Sequence, residues 1–332
     1  MVNAVAKKYA GFWLMFVLGL LVWLGGAAPA AQGGGSEITD RAGRKVQAAA
    51  PFGRIISLYS AHTENLLALS LDAALIGVSP QDRLPPGMGD KPRFSYHDGA
   101  EKFLAAHPDL VLIRPMIDWG YAPLVRRLEQ SGIVVVSLQP ETVEDMYGYW
   151  RDLGALTGRQ SQAETLIERF TAAVAAFRQL TAGITSRPRV YFEAIHEKVK
   201  TFTPGSIPIF ALEAAGGRNV AADAAQVRNT NIAYYGKERL LSRAHEIDVF
   251  LAQRGAMNQP SVAQIAAEPG FGAIRAVRQG RICIVDEALV ARPTPRLLLG
   301  INQIGNCLFP EIFGPRGDAI VAQSGILFYP GD

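Results

Sequence analysis

Hydrophobic positions along this chain recur in two alternating modes. Short apolar runs stand at residues 55–58, 74–78, 108–113 and 133–138. Each is too short for a helix and is bounded by Gly, Pro or polar residues, as buried strands are. Between them lie stretches with apolar residues on one helical face: Leu66, Leu67 and Leu69, then Leu124, Val125 and Leu128, then Met146, Tyr149, Trp150 and Leu153. Such β–α repetition predicts a parallel sheet with helices on its faces. Residues 160–180 follow a different rule. Ala163, Leu166, Ile167, Phe170, Ala173, Val174, Phe177 and Leu180 recur at helical spacing for roughly six turns, uninterrupted by Gly or Pro. Strands then resume at 188–193, 247–252 and 281–285, with helices at 207–215, 261–267 and 295–308.

The layout predicts an α/β protein of two Rossmann-like lobes with parallel sheets, joined by one long rigid helix, with a ligand cleft between the lobes. The expected divisions are an N-terminal lobe at 37–158, a linker helix at 159–183, a C-terminal lobe at 184–314 and a tail at 315–332. A continuous helix is stiffer than the paired strands of hinge-closing proteins, so a ready-made cleft with little closure is expected.

The first thirty residues have the pattern of an export signal. Lys7 and Lys8 precede an apolar run at 12–24, and Ala28-Pro29-Ala30 offers a small-x-small cleavage site. Residues 31–36 then form a flexible lead-in. The run is long for a signal, which leaves an uncleaved anchor as the alternative. No Cys follows it to carry a lipid. The 33 basic and 30 acidic residues give +3, and +1 without Lys7 and Lys8, a balance that excludes a nucleic-acid surface. Cys283 and Cys307 allow one disulfide or two buried thiols.

Chemistry gathers first where the strand at 55–58 runs into a helix. Ser60 is the expected N-cap. Tyr59, His62 and Glu64 collect at the strand's carboxyl end, where open α/β sheets place ligands. Glu64 falls one residue late for a capping box, so capping does not account for it.

The order of several short motifs resembles the helix-linked substrate-binding proteins of ABC importers, which take up cobalamin, ferric siderophores, haem and related metal chelates. Residues 38–46 resemble that family's opening hairpin. Arg54-Ile-Ile-Ser-Leu58 with Thr63-Glu64 resembles its first strand and helix start, and residues 103–112, containing His107-Pro-Asp109, are similar to its next strand element. Leu212-Glu-Ala-Ala-Gly-Gly-Arg-Asn-Val220 resembles the Gly-Gly-x-Asn turn of its second lobe, and residues 276–282 and 294–297 match two later landmarks. The resemblance implies a periplasmic, monomeric protein that captures a bulky metal chelate between its lobes. It would deliver that ligand to an ABC permease dimer in the inner membrane, with Glu64 and Glu213 meeting permease arginines. Where the family commonly has Ser-Pro-Ser, this chain has Leu58-Tyr-Ser-Ala-His62.

Loops after the strands should supply ligand contacts. The candidates are Tyr59, Tyr96, His97, Arg114, Trp119 and Tyr121 from the first lobe, with His196, Arg254 and Arg296 from the second. Aromatic rings give flat apolar surface with a polar handle, and Arg gives fixed donors for carboxylate or phosphate. The five histidines, at 62, 97, 107, 196 and 245, include no i, i+4 pair, so neither a bare-metal site nor a resident cofactor is expected. Nucleophile-elbow, phosphate-loop, HExxH and Cys-x-x-Cys patterns are absent, so no catalytic residues are expected. The rival readings are an exported α/β enzyme with scattered catalytic residues and a sensor or docking protein that keeps the binder fold.

Overall fold

The computed structural model describes residues 36–84, 90–227, 230–256 and 258–326. The expected export signal lies outside the described residues. Among the described residues no helix is long and apolar enough to cross a membrane.

The first lobe is built on a four-stranded parallel sheet in the order Leu75–Gly77, Ile55–Ser57, Leu110–Ile113, Val134–Ser137. Its strands are apolar except for Ser57 and Ser137 at their carboxyl ends, because both faces are covered. Ile55, Leu110, Leu112 and Val136 point into one core, whereas Ile56, Val111, Ile113 and Val135 point into another. The hairpin Ser36–Thr39 with Lys45–Ala48 is fastened beside this sheet by the buried Asp40. That carboxylate accepts from the backbone N–H groups of Ala42 and Arg44 and, across the lobe, from that of Ser137 at 3.0 Å.

The second lobe repeats the plan. Arg218–Asn219, Arg189–Ile195, Val249–Arg254 and Ile282–Asp286 run parallel in that order. In both lobes the strand first in sequence lies between the second and the third. The winding therefore reverses twice in the molecule, and ligands in open α/β sheets sit outside the carboxyl ends of strands at such reversals. The second sheet also carries an antiparallel extension, Lys200–Phe202, Ile232–Tyr234 and Ala225–Gln226, on the first-strand edge.

The helix Gln160–Leu180 follows the first lobe in sequence and buries the face read from its periodicity. Gly158, with φ +69°, ends the preceding helix Val143–Thr157 in the left-handed region, and a side chain there would run into Pro51. Phe170 packs edge-on against Trp150 of that preceding helix at 5.3 Å, and Phe177 stacks on Phe313 at 5.8 Å. Phe313 belongs to the helix Pro310–Gln323, which bends at Gly314 before Pro315. Residues 315–323, expected as a tail, are thus helical and continue an element that packs on the linker helix.

Candidate functional site

The two winding reversals place four of the sequence-derived candidates: Tyr59 and Arg114 in the first lobe, and His196 and Arg254 in the second. Tyr59, not Ser60, occupies the N-cap position of the helix Ser60–Ala68. Its backbone is extended and its side chain makes no cap bond. The turn is held from below instead. Ser57 Oγ donates to the Tyr59 carbonyl at 3.0 Å, and Thr63 Oγ1 lies 2.8 Å from Ser57 Oγ and bonds the buried Asp82. The Tyr59 ring packs edge-on to His62 at 5.2 Å. Arg114 fills the matching N-cap position of the helix Pro115–Gly120, one residue after the strand Leu110–Ile113, and its guanidinium stacks over the Tyr59 ring at 4.4 Å. Burial pushes the Tyr59 phenol up, while Arg114 and then Arg292 pull it down.

His62 does not face the cleft. Its Nε2–H donates to the Ile113 carbonyl at 3.0 Å, and its Nδ1 accepts from the Tyr149 hydroxyl at 2.6 Å. The ring is fully buried, and desolvation lowers its pKa to about 3. It is a neutral structural histidine beneath Tyr59. His196 is also turned inward. Its Nδ1 meets the buried Glu193 carboxylate at 3.0 Å, its backbone N–H donates to Asn258 Oδ1, and its ring packs edge-on to Phe271. The hydrogen bond that His196 donates to the Glu193 carboxylate raises the His196 pKa, and burial raises that of Glu193.

Between the lobes lies a chamber of about 630 Å³. Glu64, Gln81 and Arg83 wall it from the first lobe, and Arg254, Arg292 and Arg296 from the second. Glu64 was expected as a solvent-facing docking carboxylate, and here the structure differs. Its side chain is only 18% exposed, and Oε1 accepts from Arg292 Nη1 at 3.0 Å with Arg296 Nη1 at 3.6 Å. The next residue, Asn65, donates to the Pro293 carbonyl at 2.9 Å and accepts from Trp150 Nε1. Helix geometry turns these two residues toward the segment at 292–296. Glu213, in the helix Ile207–Ala214, is exposed.

The remaining first-lobe candidates are not among the residues that wall this chamber. Tyr96, His97 and Tyr121 make an aromatic cluster with ring centroids 4.5–5.1 Å apart, and the Tyr121 hydroxyl meets His97 Nδ1 at 3.1 Å. Trp119 is 79% exposed. Its short helix is fixed by Asp118, whose carboxylate takes two hydrogen bonds from Arg44. Arg292 opens the loop that carries the sequence-derived Arg296 but is not singled out there as a contact. The spacing of Arg292-Pro-Thr-Pro-Arg296, two guanidiniums on one short turn, is the signal that could have found it. Among the described residues no cluster of three or more His, Cys, Asp and Glu side chains is arranged to hold a metal ion. A second cavity, of about 380 Å³, is walled by the linker helix and not by strand ends.

Two similarly wound lobes, a packed connecting helix and a polar chamber between them define a two-lobed solute-binding protein. The chain belongs to the periplasmic binding protein family, which it matches over residues 55–289. A Bacillus subtilis (strain 168) protein described as an uncharacterised ABC transporter substrate-binding lipoprotein, YvrC, is 22% identical over 92% of this chain and 99% of its own length. The vitamin B12-binding protein of Vibrio vulnificus (strain CMCP6) is 24% identical over 77% and 90%. A possible iron-binding periplasmic solute-binding protein from Staphylococcus epidermidis ATCC 12228 superposes with a TM-score of 0.70 at 24% identity, covering 78% of this chain and all of that one.

Proposed function

We propose that this protein captures a bulky metal chelate, such as a ferric siderophore, a corrinoid or a haem-like ligand, and hands it without chemical turnover to an ABC permease dimer in the inner membrane. The observation that carries this reading is the chamber: it lies between two lobes wound the same way and is walled from both. Tyr59, Arg114, Arg254 and Arg296 are the inner contacts, and Tyr96, His97, Trp119 and Tyr121 meet the outer part of a large ligand. His196 supports the strand end from behind. The protein acts as a periplasmic monomer, exported by residues 1–30.

Docking on the permease falls to Glu213, whose carboxylate faces solvent. Exposed charges of this kind orient encounter more than they add affinity. Glu64 is engaged inside the protein and is not assigned this role.

Purification from the native periplasm, with an absorption spectrum and mass analysis of the bound fraction, should recover a chelate. Titration of the mature protein with ferric siderophores, cobalamin and haemin should quench tryptophan fluorescence without forming product. A colourless protein with no affinity for any of them would overturn the reading. Glu213→Lys should keep chelate affinity and lose stimulation of uptake; uptake at the wild-type level would remove the docking assignment.

A further inference from the structure

Three features of the chamber remain unexplained by shape alone. First, one carboxylate, Glu64, is shared by two guanidiniums, Arg292 and Arg296, and Arg254 adds a third from the end of its strand. Second, the other nearby acids are turned to backbone: Asp286 accepts from the Ala288 N–H and Glu287 from the Ala256 N–H. Third, hydrogen-bonding capacity is left over inside. Glu64 Oε2 and Arg296 Nε are both buried without a partner, and Gln81, Gln259 and Gln303 also face the space. A buried polar atom left unpaired costs about 1–3 kcal/mol, so such a set is stable when something completes it.

We propose that Arg292, Arg296 and Arg254 form the seat for a carboxylate group of the ligand, and that Glu64 is a built-in stand-in occupying part of that seat. This rests on the import reading and narrows its ligand to a hydrophilic, carboxylate-bearing chelate. The chemistry is that of the contact already present. Guanidinium forks match a planar carboxylate, and Glu64 shows that a carboxylate oxygen reaches both arginines from one position. A ligand carboxylate entering from the chamber finds the N–H donors that Glu64 does not use. The Glu64 negative charge opposes it at the same time. Glu64 therefore sets both the geometry of the pair and a threshold that uncharged ligands do not pay.

Isothermal titration of the mature protein with citrate, alone and as its ferric complex, tests the seat, with inorganic phosphate and haemin as comparisons. Citrate should bind with an affinity that falls as salt rises. Arg292→Gln and Arg296→Gln should each weaken it at least tenfold. Glu64→Gln keeps an oxygen for Arg292 but removes the competing charge, so it should tighten citrate binding several-fold. Unchanged melting temperatures would confirm that each variant is folded. Weaker citrate binding by Glu64→Gln would make Glu64 a structural pin and overturn its stand-in role. Preference for phosphate would overturn the carboxylate assignment. Tight binding of haemin or cobalamin, insensitive to both arginine substitutions, would overturn the seat while leaving the import reading intact. Arginine-dependent binding of citrate without any metal chelate affinity would support the seat and remove the import reading.

Discussion

His62 shows how one residue can look functional in the sequence and be structural in the fold. Its ring is held neutral by burial between the Ile113 carbonyl and Tyr149, with a pKa of about 3. An unfolded histidine titrates near 6.5. Because the folded pKa is the lower one, stability is fully present above about pH 6.5. It falls as the pH drops, by up to about 1.4 kcal/mol per unit, until the pH reaches about 3. Asp152 works in the opposite direction: burial raises its pKa to about 6, so its contribution is present at low pH and is lost as the pH rises through that value. The wild type alone would mix the two effects. The difference between wild type and His62→Gln removes the Asp152 contribution, because both proteins carry it. Urea unfolding should show that His62→Gln is destabilised at pH 7.5 and that the gap narrows toward pH 4. A gap independent of pH would show that His62 is not the buried neutral base described. Tyr59, Arg114 and Arg254 could be placed at strand ends in advance because each follows an unmistakable apolar strand. His62, Glu64 and His196 were legible in position but not in direction. Whether a side chain at a strand end points outward or folds back depends on partners far away in sequence: Ile113 and Tyr149 for His62, Arg292 for Glu64 and Asn258 for His196.

At the scale of elements, the strand Ile282–Asp286 and the helix Leu297–Leu308 bring the two cysteines together. The Cys283 thiol is hydrogen-bonded to Cys307, which lowers the pKa of Cys283 and raises that of Cys307. Both are free thiols and half-buried. A thiolate formed at Cys283 has the other sulfur beside it, so an external disulfide such as oxidised glutathione should convert the pair to a bond, its own two sulfurs taking up the electrons and protons. Closing this 283–307 loop would add about 3 kcal/mol by the chain-entropy estimate. Mass spectrometry should find the protein two hydrogens lighter and unreactive to alkylation after such treatment, with a raised melting temperature. Two alkylatable thiols after prolonged oxidation would refute it. Most elements could be read in advance because each buries a face with its own period. Two could not. The antiparallel extension of the second sheet is made of strands of two or three residues, too short to show any period. The helix Pro310–Gln323 is interrupted by Gly314-Pro315, a pair that reads as a stop; in the fold it is a bend, because Phe313 is anchored on the linker helix.

For the whole molecule, the question is how far the lobes move when the chamber fills. The linker helix is docked at its middle, by Phe170 on Trp150, and near its C-terminal end, by Phe177 on Phe313, and one continuous core runs from Ile38 through this helix to Phe313. Rotating one lobe against the other would pull these rings apart, and removing a single buried aromatic side chain already costs about 3–5 kcal/mol. The chamber side adds two links, the Asn65 amide to the Pro293 carbonyl and the Glu64 carboxylate to Arg292. Back and front are therefore both tied, and a ligand meets a space that exists before it arrives. Cα shifts on binding should stay near the ~1 Å typical of preorganised complexes. Small-angle scattering of the mature protein should give superimposable curves with and without saturating chelate. The double variant Glu64→Ala/Asn65→Ala loses the front links but not the helix, so its curve should broaden only slightly. Should the wild type contract on binding as hinge-closing receptors do, the linker helix would have to bend or slide, and the stiffness argued from its packing would be wrong.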